Sequence, residues 1–95
     1  MHEKHMMEKA IEEIKGAKKY MKCAMKYKKE NSVWAKKFFE MAQDEARHAE
    51  AFVLMADSTA NQMTDLEKEY FEDQKRHYTH ICAMVRVLSE NFQKA

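Results

Sequence analysis

The sequence contains no proline and a single glycine, Gly16. Tight turns depend largely on these two residue types, so their near absence favours long helices with few connections. No stretch approaches the roughly 20 apolar residues of a membrane span, and the first residues, Met-His-Glu-Lys-His, lack the apolar core of a secretory signal. We therefore expect an all-helical cytoplasmic protein with no membrane partner.

Neither charge nor cysteine content specifies a function. Lys and Arg number 17 against 16 Asp and Glu, and a formal net charge of +1 does not indicate a nucleic-acid surface. Nine lysines lie within residues 1–30, which is typical of a solvated helix face or of complementary packing between helices. Cys23 and Cys82 have no CxxC or Cys/His spacing, so two free thiols are expected and a disulfide stays open.

Apolar residues recur with helical spacing in three segments of one domain, residues 1–95. Asn31 is expected to end the first helix and Ser32 to cap the second. Thr64 and Glu67 have the spacing of a capping box at the start of the third. The short first connection makes the first two helices antiparallel. The predicted helices cover about residues 3–28, 33–56 and 65–91.

Three ionisable residues lie on the apolar stripes of the first two helices. Both stripes repeat at steps of 4, 3, 4, 3, 4 and 3, the spacing of helices packed against other helices. Glu13, Glu45 and His48 are therefore expected to be buried, and a buried charge is costly unless it is paired or bound to a metal. The stripes are Met6, Ala10, Glu13, Ala17, Tyr20, Ala24 and Tyr27, then Trp34, Phe38, Met41, Glu45, His48, Phe52 and Met55.

Glu45 and His48 are three residues apart, so they lie one turn apart on the same helix face. In antiparallel neighbours, the distances of Glu13 and Glu45 from the turn differ by only roughly 7 Å. Two carboxylates and one imidazole suit iron, manganese or zinc better than calcium or magnesium. The alternative is that these residues pair with lysines or arginines of another helix and fix its register.

The first two helices resemble the ferritin-like superfamily, and within it the rubrerythrin and encapsulated-ferritin branches. The resemblance covers about residues 5–57 and rests on Glu13, on Tyr20 seven residues later, and on the Glu45-x-x-His48 motif. It implies a di-iron carboxylate site, with manganese or zinc as alternative metals, that oxidises Fe(II) with oxygen or peroxide. The activity would be that of a ferroxidase or rubrerythrin-like oxidoreductase. Tyr20 would be a redox neighbour of the metals, or a buried aromatic whose hydroxyl bonds a ligand carboxylate.

The chain carries only half of the ligands that this family pattern requires. The pattern needs two sets of a Glu and a Glu-x-x-His, and the third helix offers only Asp73-x-x-Arg76 and Glu72-x-x-Lys75. The resemblance thus implies a homodimer, or a higher homo-oligomer, that shares the site about a twofold axis. The expected fold is a three-helix ferritin-like half-bundle that completes a four-helix di-metal bundle by dimerisation. The resemblance to encapsulated ferritins also leaves open an encapsulating shell protein as a partner, although residues 91–95 do not resemble a shell-targeting peptide.

Two other classes of function stay open from the sequence. The chain could be a metal-stabilised helical bundle, for example with zinc, that catalyses nothing. It could also be a metal-free interaction module whose methionine-rich stripes bind a partner. His77, on the stripe of the third helix, is expected to be a hydrogen-bonded core histidine, with an extra metal ligand as the alternative.

Overall fold

The computed structural model describes residues 2–94, and the side chains of residues 4–94. It contains three α-helices, as predicted, with a short 3₁₀ helix, Ala60–Gln62, between the second and the third. The molecule is an elongated rod of 51 × 17 × 14 Å. Over the described residues, no helix combines the length and apolar character that crossing a bilayer requires. The helices are α1 (His2–Tyr27), α2 (Ser32–Asp57) and α3 (Asp65–Gln93).

Local side-chain hydrogen bonds set where α2 and α3 begin. Asn31, and not Ser32, caps α2: its backbone is extended and its side chain accepts a hydrogen bond from the Trp34 N–H at 3.1 Å. The Asn31 N–H is already bonded to the Tyr27 carbonyl at 2.8 Å, which fixes Asn31 between the two helices. The capping box of α3 is confirmed, with reciprocal bonds of 2.9 and 3.2 Å between Thr64 and Glu67.

The three helices run up, down and up, and α1 packs against both of the others. The α3 helix is parallel to α1, because the two ends of α1 meet the corresponding ends of α3. The Lys4 Nζ lies 5.4 Å from the Tyr70 ring centre, and the Lys28 Nζ lies 5.3 Å from that of Phe92. Lys28 also donates hydrogen bonds to the last carbonyls of α3, which ties the two helix ends together.

Alanines occupy the buried stripes of α1 and α2. They recur every seven residues on both helices, and none is more than 2% exposed. A seven-residue repeat stays on one side of slightly supercoiled helices. Small side chains there let two backbones approach closely, whereas an added larger group in such a contact typically costs about 1–3 kcal/mol. The alanines are Ala10, Ala17 and Ala24 of α1, and Ala35, Ala42, Ala49 and Ala56 of α2.

The predicted burial of the large-residue stripe of α2 is wrong for the single chain. Trp34, Met41, His48 and Met55 are all exposed, and Glu45 is only partly buried. We call this surface the seam face; it consists of that stripe of α2 with Glu13 and Tyr20 of α1. The prediction rested on the large apolar side chains of this stripe, but α1 packs on the alanines of α2 instead. A third helix covers only one side of the α1–α2 pair, so the other side stays uncovered.

Two clusters of buried residues hold α3 on the other side of that pair. On α1, Met7, Ile14 and Met21 join these clusters at seven-residue steps. Ile14 and Met21 each follow Glu13 and Tyr20 by one residue, which is about 100° around the helix, so α3 and the ligand cluster lie on different sides of α1. One cluster joins Met7, Ala10, Val53, Ala56, Met63 and Phe71, and the other joins Ile11, Ile14, Ala17, Met21, Ala42, Ala49, Ile81 and Val85.

The structure contradicts the sequence prediction for His77 and confirms the one for the two cysteines. His77 is exposed, so its prediction as a core histidine is wrong: Ile81 and Val85 face α1, and His77 lies to one side of them. Both cysteines are free thiols, as expected. The Cys82 Sγ lies 3.9 Å from the Tyr78 hydroxyl.

Candidate metal centre

The α1 and α2 helices bring Glu13, Glu45 and His48 together on the seam face. One ligand atom from each of these side chains lies within 4.8 Å of the other two. Among the side chains of residues 4–94, no other group of three His, Cys, Asp or Glu residues has this proximity. The close packing of α1 on α2 through their alanines brings Glu13 within reach of the Glu45–His48 turn.

The three donors fit a first-row metal ion. Oxygen and nitrogen ligands bind zinc, for example, at about 2.0–2.2 Å, so two ligands on one ion can be at most about 4.4 Å apart. The observed spread of 4.8 Å exceeds this limit only slightly. Glutamate side chains have several rotatable bonds, and a small inward rotation would meet the requirement. Two carboxylates and one imidazole at this spacing form a ligand set that could hold a metal ion.

Electrostatics at the cluster favour a bound cation. A hydrogen bond shared with Glu13, burial, and the negative charge of Glu13 raise the pKa of the Glu45 carboxyl, while His48 opposes the shift. The Glu13 Oε2 lies 4.0 Å from the His48 Nδ1. Among the described residues, neither glutamate forms an ion pair with a lysine or arginine, which leaves the register-fixing alternative without support. The nearest arginine in sequence, Arg47, pairs with Asp44.

The cluster is open to solvent on one side. The side chain of His48 is 58% exposed and that of Glu13 is 28% exposed. The expected burial of these residues is therefore only partial in the single chain, where Glu13 and Glu45 are half-buried and His48 is exposed. An additional surface is needed to enclose them.

Gly16 provides the space that the Glu45 carboxylate occupies. A Cβ atom at position 16 would lie 3.2 Å from the Glu45 Oε2, tighter than an ordinary van der Waals contact. Glycine inside a helix costs roughly 1 kcal/mol relative to alanine, so Gly16 makes α1 less stable than an alanine at this position would. The contact explains it, because any side chain here would push Glu45 away from its present position.

We predict that Gly16→Ala weakens metal binding while leaving the metal-free fold at least as stable. The methyl group should displace the Glu45 carboxylate and lower metal affinity by about 10- to 100-fold, the range seen when groups that support metal ligands are altered. Isothermal titration with Zn(II) or Mn(II) measures the affinity, and urea denaturation of the metal-free protein measures stability. Lys19→Ala, on the exposed side of α1, is the matched control. Unchanged affinity in Gly16→Ala would contradict the role of Gly16.

Tyr20 lies on the same face, within a group of stacked aromatic rings. Its ring centre is 6.2 Å from that of Phe38, which in turn stacks on Tyr27 at 5.9 Å. Among the described residues, the Tyr20 hydroxyl has no hydrogen-bond partner, so no bond to a ligand carboxylate is found. Its role as a redox neighbour stays a prediction.

Apolar side chains surround the cluster on the seam face. Met41 precedes Glu45 by about one turn, and Phe52 follows His48 by about one turn. Near the start of α2, Trp34, Phe38 and Met41 line a shallow cavity of about 310 Å³ together with Lys37. Contiguous exposed apolar surface of this kind is typical of an interaction site.

The rubrerythrin family model matches residues 5–95, so the match includes α3 as well as the two helices that carry the candidate ligands. No curated protein and no solved structure matches the chain.

Proposed function

The chain belongs to the rubrerythrin family of the ferritin-like superfamily, and we propose that it is an iron-oxidising protein whose di-iron site is shared between two copies. Membership of the family implies a di-iron protein. The observation that carries the proposal is the Glu13, Glu45 and His48 cluster, which has the donor chemistry that the family uses. The proposed reaction is oxidation of Fe(II) by oxygen or peroxide.

The number of ligands supports a shared site. One chain supplies two carboxylates and one imidazole, whereas the family pattern uses four carboxylates and two imidazoles around two metals. The α3 helix lies on the other side of the α1–α2 pair and adds no ligand to the cluster. A second copy related by a twofold axis would supply the missing half through the same surface.

The seam face supports a second copy as the covering partner. It is apolar around a polar centre, and it is exposed where a four-helix bundle would have its interior. An isologous contact would place the α1–α2 pair of one copy against that of the other. The ligand cluster would then become buried, and metal ions would compensate the charge of its carboxylates.

Each residue of the site has a separate task in this proposal. Glu13 and Glu45 would bind and neutralise the metal ions, and His48 would supply the nitrogen ligand. Iron held there supplies the Fe(II)/Fe(III) couple through which the oxidant is reduced. Met41 and Phe52 would exclude water from the two ends of the cluster once the second copy is in place. Gly16 keeps the Glu45 carboxylate in position.

Aerobic titration with Fe(II) tests the proposal. We expect a near-ultraviolet ferric absorbance that saturates at one iron per chain, which is two per dimer. A zinc-stabilised bundle would melt at a lower temperature with chelator but would oxidise no iron, and a metal-free interaction module would respond to neither treatment. A protein that stays strictly monomeric with iron present would rule out the shared site.

A further inference from the structure

The α3 helix has an exposed face that the proposed metal centre does not use. Its residues follow one another at steps of 3, 4, 4, 3, 4 and 3, so they lie along a single side of the helix. Met84 is partly buried and the others are exposed, including two apolar residues, Leu66 at 77% and Val87 at 55%. We call this surface the outer face of α3; it consists of Leu66, Glu69, Asp73, His77, His80, Met84 and Val87.

The two halves of this outer face differ in charge. The first half, from Leu66 to Asp73, lies in the segment 64–73, which contains five acidic residues and one lysine. The second half lies beside α1, where residues 14–29 contain seven lysines and no acidic residue. Within the described part of the chain, Lys18 and Lys22 form no ion pair with a carboxylate. On the first half, Asp73 pairs with Arg76, whereas Glu69 forms no ion pair among the described residues. The two halves therefore present opposite charges at Glu69 and at Lys18 and Lys22.

A groove between α1 and the second half of α3 has an apolar floor and a basic edge. Its volume is about 410 Å³, and nearly all of its surface is apolar. Leu66 is an exposed apolar side chain set among acidic residues, so its surroundings complement this groove in both polarity and charge. The groove is lined by Lys18, Lys22, His80, Ala83, Met84, Val87 and Leu88.

We infer that the outer face of α3 binds the same face of a second copy in antiparallel orientation. A twofold axis between Arg76 and His77 places the acidic first half of this face opposite the second half of the other copy, beside which the lysines of α1 lie. Leu66 then lies opposite Val87 of the second copy, at the end of the apolar groove. Glu69 lies opposite Met84 and approaches the lysines at the groove edge, and Asp73 lies opposite His80.

The pairing occurs twice in each contact because the interface is isologous. Leu66 and Val87 are 21 residues apart, so the contact extends along roughly 31 Å of helix. Charges that complement one another in this way fix orientation and exclude the parallel arrangement, which would oppose acid to acid. This contact is separate from the seam face, and it does not rest on the proposed iron chemistry.

Zero-length carbodiimide crosslinking identifies the contact directly. The reagent joins a lysine to a carboxylate only when the two are in contact, and we expect links from Lys18 or Lys22 to Glu69. Such a link must join two chains. Within one chain, Tyr70, the neighbour of Glu69, meets Lys4. Lys18 lies 14 residues beyond Lys4, which is roughly 21 Å along α1, so Lys18 is too far from Glu69 of its own chain for such a link.

Charge reversal then tests whether the pairing drives association. We expect Glu69→Lys/Asp73→Lys and Lys18→Glu/Lys22→Glu each to raise the dissociation constant at least about tenfold in sedimentation with chelator present. An equimolar mixture of the two variants should associate again, because each then meets opposite charge. Lys29→Glu/Lys36→Glu changes the net charge equally, away from the outer face, and should behave like the native chain.

Crosslinking and sedimentation can also contradict this inference. Circular dichroism first checks that each variant keeps its helices, which we expect because Lys18 is half-buried and the other substituted side chains are exposed. Association that survives both reversals, failure of the mixture to associate, or absence of any crosslink from Lys18 or Lys22 to Glu69 would overturn the inference. Loss of iron oxidation would leave it unaffected, because the metal ligands lie on the seam face.

Discussion

Glu45→Ala is expected to abolish the saturable ferric absorbance that the native chain develops on aerobic addition of Fe(II). Glu45 is central to the cluster, since it neighbours both Glu13 and His48. Its removal would take one carboxylate from each half of the shared site. Because altering a group that merely supports a ligand costs 10- to 100-fold in affinity, loss of the ligand itself should lower metal affinity at least about 100-fold.

The same substitution should leave the metal-free protein folded. The Glu45 side chain is not fully buried, and its carboxylate is repelled by Glu13, so truncation removes an unfavourable interaction. Glu40→Ala is the matched control on α2, because Glu40 is exposed and, among the residues whose side chains are described, its ion pair is with Lys37 at 3.5 Å. Ultraviolet absorbance with iron and urea denaturation without it separate the two effects. Iron oxidation at the native level by Glu45→Ala would refute the assignment of the site.

Met41→Glu is expected to keep the chain monomeric and to abolish iron oxidation at the same time. Met41 is 40% exposed in the single chain, so a glutamate there costs the monomer little. In the proposed dimer it would be buried beside the ligand cluster, where an unpaired charge is strongly unfavourable. Sedimentation with and without Fe(II) should show a dissociation constant at least about tenfold above that of the native chain, which corresponds to about 1.4 kcal/mol.

Leu54→Glu introduces the same charge on α2 away from the seam face. Leu54 is exposed, and it lies nine residues beyond Glu45, which is two and a half turns, on the opposite side of the helix. This variant should associate and oxidise iron like the native chain. A Met41→Glu monomer that still oxidises iron to the native extent would show that one chain suffices for the reaction.

Much of the fold could be predicted from local sequence patterns. The absence of proline and the spacing of apolar residues predicted three helices, and Thr64 with Glu67 predicted the start of the third, because a capping box depends on residues three apart. Glu13, Glu45 and His48 could be predicted to meet because a short connection makes α1 and α2 antiparallel. Their role as metal ligands stays a prediction.

Which side of each helix is buried could not be predicted with the same success. The spacing of large apolar residues correctly predicted that they share one face of α2. It could not predict that no helix of the same chain covers that face. Alanines make the contact with α1, since they permit a shorter distance between the helices than Phe38 or Met41 would. The prediction that His77 is buried was wrong for a related reason: Ile81 and Val85 of α3 are covered by α1, whereas His77 on the same predicted stripe is not.

The sequence by itself determined the helices, their caps and the presence of three potential ligands at compatible positions. Only the tertiary structure decided that these ligands form an open cluster, and that Gly16 gives Glu45 its space. The physical reason is that helix periodicity depends on neighbours in sequence, whereas burial depends on which other helices are present. A single chain with three helices covers one side of the α1–α2 pair with α3 and leaves the side that bears Glu13, Glu45 and His48 uncovered.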